Sequence, residues 1–221
     1  MPYLETLEIE PVGPASATVI WMHGLGAEAN DFYPVPPHLG LPPELNVRFV
    51  FPNATQIPVT INGGVVMRAW YDILNIGRGA QDETGIRRSA ALIDELVDHE
   101  TERGVPPGHV VLAGFSQGGA MALFTGTRYK AALGGIMCLS AYLPLEETLA
   151  DEATVAGRGV PIFQAHGTAD PVVDLTLGRQ SYDLLSDAGY TVDWHEYPMG
   201  HSVSPEELGD IGSWLTTVLG R

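Results

Sequence analysis

A serine in the middle of the chain has the neighbours that an activated nucleophile requires. Ser116 stands in Gly114-Phe115-Ser116-Gln117-Gly118, after an apolar run that predicts a strand and before a run that predicts a helix. A tight turn at such a junction lifts the hydroxyl out of the chain and brings the flanking residues against adjacent backbone, where only glycine leaves room. Gly114 and Gly118 fill those two positions. The sequence therefore predicts a nucleophile elbow at Ser116.

A serine hydroxyl also needs a base to take its proton and an acid to orient that base. When a serine stands on such an elbow, the acid and then the histidine follow it along the chain. Asp170 fits the acid position because it follows a predicted strand through a short loop and precedes Pro171, which restricts the turn. Asp174 is the alternative acid, although an acidic residue there is also typical of a helix N-terminus.

The base is assigned to His201, which lies between the strand-like residues 191–196 and the final predicted helix. The other six histidines suit surface or structural roles. Two of them precede a glycine at a strand end, where an imidazole can bond loop carbonyls; these six are His23, His38, His99, His109, His166 and His195. We therefore predict a catalytic triad of Ser116, Asp170 and His201.

Acyl transfer also requires donors aimed at the developing oxyanion. The elbow supplies one, the backbone N–H of Gln117, at the start of a predicted helix. The second is expected in His23-Gly24-Leu25-Gly26-Ala27, where the Leu25 N–H is the best candidate. This glycine-containing loop could instead be read as a phosphate cradle, but it lacks the lysine and the glycine spacing of the known phosphate-binding motifs.

Short apolar runs alternate with amphipathic runs along the chain, as in a doubly wound α/β sheet. Near-continuous apolarity is typical of parallel strands that are buried on both faces. The predicted strands are residues 18–22, 47–51, 110–112, 133–139, 160–165 and 191–196, with 4–9 as an antiparallel edge strand. The predicted helices are residues 82–103, 117–129, 175–188 and 205–219. We expect one domain over residues 1–221, without a large cap because only about twenty residues separate two central strands.

Composition excludes several classes of function. The net charge of −16, from 27 acidic and 11 basic residues, opposes nucleic acids and anionic lipid surfaces. The sequence contains no long apolar run and no signal-peptide pattern, so we expect a cytoplasmic protein without stable membrane insertion. The single cysteine, Cys138, lies in an apolar run and is expected in the core.

Five motifs in chain order carry a family resemblance. They are His23-Gly24-Leu25-Gly26, Arg68-Ala69-Trp70-Tyr71-Asp72, Gly114-Phe115-Ser116-Gln117-Gly118-Gly119-Ala120, His166-Gly167-Thr168-Ala169-Asp170-Pro171-Val172-Val173 and Tyr197-Pro198-Met199-Gly200-His201. Together they resemble the phospholipase/carboxylesterase family of α/β-hydrolases, which includes bacterial carboxylesterases and acyl-protein thioesterases. The resemblance extends over nearly the whole chain and implies the same triad and the same oxyanion donors.

The resemblance also implies a substrate side. Trp70 matches an aromatic residue that lines the acyl pocket beside a hairpin, which is expected around Asn62-Gly63-Gly64. Val65 and Met67 on that hairpin are therefore candidate substrate contacts. Two alternatives stay open: Trp70 can be a core residue that packs the hairpin on the sheet, and the hairpin can form a dimer contact.

The predicted activity is that of a serine carboxylesterase acting on short- to medium-chain acyl esters, as a monomer or homodimer, without metal or cofactor. A lysophospholipase or an acyl-protein thioesterase is the alternative, because an uncapped groove admits a large leaving group. A non-catalytic binder on the same fold is disfavoured by the complete triad. A dienelactone-type hydrolase is disfavoured because position 116 is not cysteine.

Overall fold

Among the residues that the structure describes, seven of the nine strands form one sheet, and all but one of these seven run parallel. The computed structural model describes residues 4–76 and 79–220. The strands are β1 (Thr6–Ile9), β2 (Ala17–Met22), β3 (Val47–Pro52), β4 (Gln56–Val59), β5 (Val65–Arg68), β6 (Val110–Phe115), β7 (Gly135–Leu139), β8 (Ile162–Gly167) and β9 (Val192–Tyr197). The helices are α1 (Glu83–Glu102), α2 (Gln117–Arg128), α3 (Leu149–Glu152), α4 (Val155–Arg158), α5 (Leu175–Asp187) and α6 (Pro205–Leu219).

The order of the strands in the sheet is β1-β3-β2-β6-β7-β8-β9, and β1 pairs antiparallel with β3 at one edge. The central strand β2 pairs in parallel with β3 and β6, so that Val19 lies between Phe49 and Val111. The predicted parallel sheet and its antiparallel edge strand are both confirmed. The predicted single domain over residues 1–221 includes positions outside the described residues, and it stays a prediction.

Every residue of β2 is buried, because the sheet is covered by helices on both faces. Ile20 and Met22 pack in one core layer with residues of α1 and α2, whereas Val19 and Trp21 pack in the other layer with residues of α6. This arrangement explains why the central strands are apolar without alternation. The predicted α/β-hydrolase architecture, doubly wound around a mostly parallel sheet, is confirmed.

The helix boundaries follow local capping signals. Asp82 caps α1 by accepting a hydrogen bond from the Gly85 amide, and Ser204 and Glu207 form a reciprocal capping box at the start of α6, with Pro205 in the first turn. The predicted bounds of the final helix are therefore met residue for residue. In the part of the chain that the structure describes, no helix is both long enough and apolar enough to cross a membrane.

The hairpin between β3 and α1 differs from its prediction. Its strands are β4 and β5, and the register ends at the pair Val59 and Val65. Residues 60 and 61, directly before the predicted turn at Asn62, belong to a helical turn and not to a strand. The Asp72 carboxylate holds this turn by accepting hydrogen bonds from the Thr60 amide at 2.7 Å and from its hydroxyl at 2.6 Å. These bonds pull the chain out of the strand.

No large cap covers the sheet between β7 and β8 in the described chain. The connection holds only short helices, α3 and α4, and it folds back onto the end of α2. Arg128 of α2 holds this segment by donating to Glu152 at 2.9 Å and to Thr148 at 2.8 Å. The carboxyl ends of the strands around Ser116 therefore stay open.

Candidate active site

Ser116 occupies a strained turn between β6 and α2. Its backbone has φ 55° and ψ −121°, a conformation that few residues other than glycine adopt. A Cβ on Gly114 would lie 2.2 Å from the backbone of Gly118, and a Cβ on Gly118 would lie 2.3 Å from the Met22 carbonyl oxygen. Any side chain at either position would overlap this backbone, which explains why glycine stands on both sides of the serine.

The structure brings Ser116, His201 and Asp170 together in one chain of hydrogen bonds. His201 Nε2 lies 2.9 Å from Ser116 Oγ, and His201 Nδ1 lies 2.7 Å from Asp170 Oδ2. A carboxylate only accepts, so Nδ1 carries the proton and Nε2 is left to accept from the serine hydroxyl. This is the tautomer that a general base requires.

The loop after β8 holds the Asp170 carboxylate on its other side. Asp170 Oδ1 accepts hydrogen bonds from the amides of Val172 at 2.8 Å and Val173 at 2.9 Å. Its side chain is fully buried, whereas the His201 side chain keeps 16% of its surface exposed. Both carboxylate oxygens thus have hydrogen-bond partners. The two bonds to Oδ1 hold the carboxylate so that Oδ2 faces His201.

Asp174, the alternative acid, performs a different role. It is the N-cap of α5 and accepts hydrogen bonds from the Thr176 amide at 2.8 Å and from its hydroxyl at 2.7 Å. The hydrogen bond from the Thr176 side chain is the main reason that the pKa of this exposed carboxyl is lowered. The contacts of Asp174 are those of a helix cap, and none of them reaches His201.

The loop after β2 approaches the serine closely. A Cβ on Gly24 would lie 3.4 Å from Ser116 Cβ, and Gly26 takes a left-handed conformation with φ 71°. The Gly26 amide donates to the Arg68 carbonyl at 2.8 Å, which ties this loop to the hairpin. Leu25 lies between the two glycines beside Ser116, and Gln117 is the first residue of α2, whose amide has no partner within its own helix. Both residues predicted to supply oxyanion donors therefore lie next to the serine, and their role as donors stays a prediction.

His23 supports this loop from beneath. The Ala54 amide donates to its Nε2 at 3.0 Å, so Nδ1 carries the proton and donates to the Gly24 carbonyl at 2.7 Å. Burial is the main reason that the pKa of His23 is lowered, which favours the neutral ring. His166 is likewise buried and bonds the Val173 carbonyl at 2.8 Å. The structural roles expected for these two histidines agree with their contacts.

The three predicted substrate contacts lie around the hairpin and the loop after β2. Trp70 is fully buried, and its Nε1–H donates to the His23 carbonyl at 2.9 Å, beneath the loop that carries Leu25. Val65 is exposed on the outer part of the hairpin, and the Met67 sulfur accepts from Asn62 at 3.2 Å. None of the three lines either of the two cavities that meet at Ser116. These contacts support the loop after β2, and a role of the three residues in binding substrate stays a prediction.

The side chain of Gln117 has a positioning role that the sequence did not reveal. Its Oε1 accepts from the Trp70 amide at 2.9 Å, and its Nε2 donates to the Tyr71 carbonyl at 2.7 Å. This amide clamps the backbone that follows the hairpin to the start of α2. The same residue thus offers a backbone donor near the serine and a side-chain bridge beneath it.

Two cavities meet at Ser116 and share Leu25 and Val172 as walls. The open groove has a volume of about 530 Å³ and includes His201. Its remaining lining residues are Gly24, Ala27, Asp31, Phe32, Val35, Phe115, Ser202, Val203 and Leu208. The narrow cavity has a volume of about 70 Å³. Its remaining lining residues are Tyr71, Ile73, Ile76, Gln117, Ala120, Ala141, Tyr142 and Val173.

Most of these lining residues were not singled out from the sequence. They come from loops that follow β2, β5, β7, β8 and β9, and they are mainly apolar residues a few positions beyond the strand ends. The rule that ligands bind at the carboxyl ends of parallel strands is the signal that could have found them. Cys138, by contrast, is buried in β7, and burial raises the pKa of its thiol well above the usual range.

Comparison with known proteins places this geometry in a family. A family model described as phospholipase/carboxylesterase matches residues 6–219. Acyl-protein thioesterase 1 of Neurospora crassa is 41% identical over 220 residues, which cover 95% of this chain and 90% of that protein. A probable carboxylesterase of Oryza sativa subsp. japonica is 34% identical over 201 residues, which cover 89% of this chain and 76% of that protein.

The solved structure of acyl-protein thioesterase 2 from Zea mays has a TM-score of 0.85 with this chain at 31% identity, covering 99% of this chain and 100% of that one. Sequence, fold and site geometry agree on a serine hydrolase of the esterase or thioesterase type. The chain belongs to the phospholipase/carboxylesterase family.

Proposed function

We propose that this protein hydrolyses thioesters of S-acylated proteins by transferring the acyl group to Ser116. His201 takes the hydroxyl proton while Asp170 orients the imidazole and stabilises its charged form. The amides of Leu25 and Gln117 stabilise the oxyanion of the tetrahedral intermediate. His201 then returns the proton to the departing sulfur, and water removes the acyl group from the serine by the same route in reverse.

The position of His201 supports a proposal for which part of the substrate each cavity holds. The leaving atom must receive its proton from Nε2, so the leaving group lies on the side where His201 forms part of the wall, which is the open groove. The acyl chain then enters the narrow cavity, whose lining is dominated by apolar and aromatic side chains. A longer acyl chain must extend beyond this cavity, and Ile76, one of its lining residues, is 41% exposed.

The single observation that carries this proposal is the uncapped groove of about 530 Å³ on the leaving-group side of Ser116. A cysteine that is part of a protein needs such an open approach, whereas a small alcohol does not. The relatives named acyl-protein thioesterases support the same conclusion. The sequence alone favours a carboxylesterase for short- to medium-chain esters, whereas the similarity to these relatives favours the alternative, an acyl-protein thioesterase.

One observation favours a second candidate function, that of a carboxylesterase for short-chain esters. The narrow cavity holds only about 70 Å³, so it encloses the first few carbons of an acyl chain. The relative named as a probable carboxylesterase agrees with this candidate. The two candidates share the same chemistry at Ser116 and differ in the bond and the chain length that are preferred.

The test is a matched panel of oxygen esters and thioesters, from acetyl to palmitoyl, assayed with the wild type and with Ser116→Ala. The proposal requires a higher kcat/KM for the thioester of each pair and for the longer acyl groups, with no turnover by the variant. Fastest turnover of short oxygen esters would replace it with the carboxylesterase. Undiminished turnover by Ser116→Ala would remove the proposed nucleophile.

A further inference from the structure

Among the described residues that line the open groove, Asp31 is the single acidic side chain, and none is a lysine or arginine. It ends the helical turn Ala29–Asp31 in the loop after β2, and its side chain is exposed. The other lining side chains are mostly apolar. The groove therefore presents one negative charge against a largely apolar surface, a few residues along the chain from Leu25.

Within residues 4–76 and 79–220, no described residue forms an ion pair or a side-chain hydrogen bond with the Asp31 carboxylate, and the nearby ring of His23, which the charge of Asp31 reaches, is favoured in its neutral form by burial. The nearby Glu28 is different, because its carboxylate lies 3.7 Å from Arg68 Nε. Arg68 also pairs with Glu5 at 3.1 Å. Arg68 is thus committed to other acids, and no cation among the described residues pairs with Asp31 at the groove.

We infer that Asp31 selects for positive charge on the leaving-group side of the substrate, so that the preferred thioesters are acylated cysteines flanked by lysine or arginine. The inference rests on the proposed function, since it uses the assignment of the open groove to the leaving group. Beside Asp31, a flanking cation gains an ion pair that the protein does not otherwise supply, and the apolar walls can pack against its methylene chain. A leaving group that carries phosphates or carboxylates meets repulsion there.

The overall charge acts in the same direction but at longer range. A net charge of −16 attracts cationic substrates to the whole surface, whichever acid is considered. A local role for Asp31 must therefore be separated from this general attraction. Asp187 serves as the control for net charge. It is an exposed acid in the last turn of α5, a helix that begins near the carboxyl edge of the sheet and runs away from it.

The experiment compares three acylated pentapeptides with a central S-octanoyl cysteine and either lysine, glutamine or glutamate on both sides. We expect wild-type kcat/KM to fall in the order lysine, glutamine, glutamate. Asp31→Asn should lower the ratio of lysine to glutamine peptide by about two- to fivefold, the effect of losing an exposed ion pair. Asp31→Lys should reverse the order. Asp187→Asn, which changes the net charge by the same amount as Asp31→Asn, should leave the ratio as in the wild type.

Equal ratios in the wild type and Asp31→Asn would overturn the inference, as would equal losses in Asp31→Asn and Asp187→Asn, which would assign the preference to net charge alone. Matched O-octanoyl serine peptides repeat the comparison with oxygen esters. The test of charge selection by Asp31 then does not depend on whether the enzyme hydrolyses thioesters. If only these esters are cleaved, the thioesterase proposal fails and the charge ratio is read on the esters. If neither series is cleaved, both proposals fail.

Discussion

At the scale of single residues, the distinction between Asp170 and Asp174 is made by their hydrogen bonds. Asp170 uses one oxygen for two backbone amides and the other for His201, whereas Asp174 uses its carboxylate to cap α5. Two acids only four positions apart thus have unrelated tasks. Their substitution by asparagine separates these tasks without a change in size.

We expect Asp170→Asn to lower kcat by several orders of magnitude, by about 10⁴ if it acts as in other triads, because the amide no longer enforces the correct imidazole tautomer. Asp174→Asn should change kcat little, since asparagine is an equally good N-cap. Steady-state kinetics of both variants, with thermal unfolding to verify folding, provide the measurement. A severe loss in Asp174→Asn alone would move the acid to position 174.

Trp70→Phe tests whether this tryptophan supports the loop or contacts the substrate. The ring stays, but the hydrogen bond to the His23 carbonyl is lost, so we expect kcat to fall by about two- to tenfold, the effect of one buried hydrogen bond. The preferred acyl chain length should be that of the wild type. A shifted chain-length optimum with unchanged kcat would restore Trp70 to the acyl pocket.

At the scale of elements, the first turn of helix α6 contains Glu207, whose carboxylate is buried and also takes part in the helix cap. Glu207 Oε2 accepts from the Ser204 amide at 3.3 Å, while its Oε1 is buried with no partner among the described residues. Burial raises the pKa of Glu207 to about 8. The folded protein therefore retains a proton that the unfolded chain releases near its ordinary pKa of 4.5.

This protonation predicts how stability depends on pH. Because the unfolded chain binds fewer protons between pH 4.5 and pH 8, Glu207 makes the free energy of unfolding fall as pH rises, by at most about 1.4 kcal/mol per pH unit. Glu207→Gln keeps the cap and removes this dependence, so its advantage over the wild type should grow from pH 5 to pH 8. Chemical denaturation across that range measures it, with the exposed Glu206→Gln as control. Parallel curves for the wild type and Glu207→Gln would contradict the prediction.

Elements and sites differed in how far they could be predicted. The elbow at Ser116 and the cap at Ser204 depend on neighbours in the sequence, so local patterns were sufficient. The turn of the hairpin depends on Asp72, and the burial of Trp70 depends on the His23 carbonyl 47 residues away. Such contacts between distant segments leave no local pattern. The two cavities were not predicted for the same reason, since five separate loops contribute to them.

At the scale of the whole molecule, acidic residues outnumber basic ones by 27 to 11, and their repulsion works against the compact state. Some pairs oppose it, such as Arg48 with Glu100 at 2.8 Å, whose side chains are almost fully buried. Salt screens exposed charges much more than buried pairs. Added salt should therefore remove more repulsion than attraction.

We expect the thermal unfolding midpoint at pH 7.5 to rise when sodium chloride is increased from about 10 mM to about 500 mM, over which the screening length shortens severalfold. The comparison at pH 5, close to the sequence pI of about 4.6, should give a much smaller rise because the net charge is small there. Circular dichroism at fixed protein concentration follows both series. A midpoint that falls with salt at pH 7.5 would show that ion pairs outweigh repulsion.

The meeting of two cavities at one serine also has a consequence for how the reaction ends. In the proposed reaction, the acyl group still fills the narrow cavity after the thiol leaves, while the open groove, which His201 lines, is vacant. Any small nucleophile that diffuses into this groove meets the same base that activates water. Added alcohols should therefore intercept the acyl-enzyme and form new esters, so that the protein synthesises as well as hydrolyses.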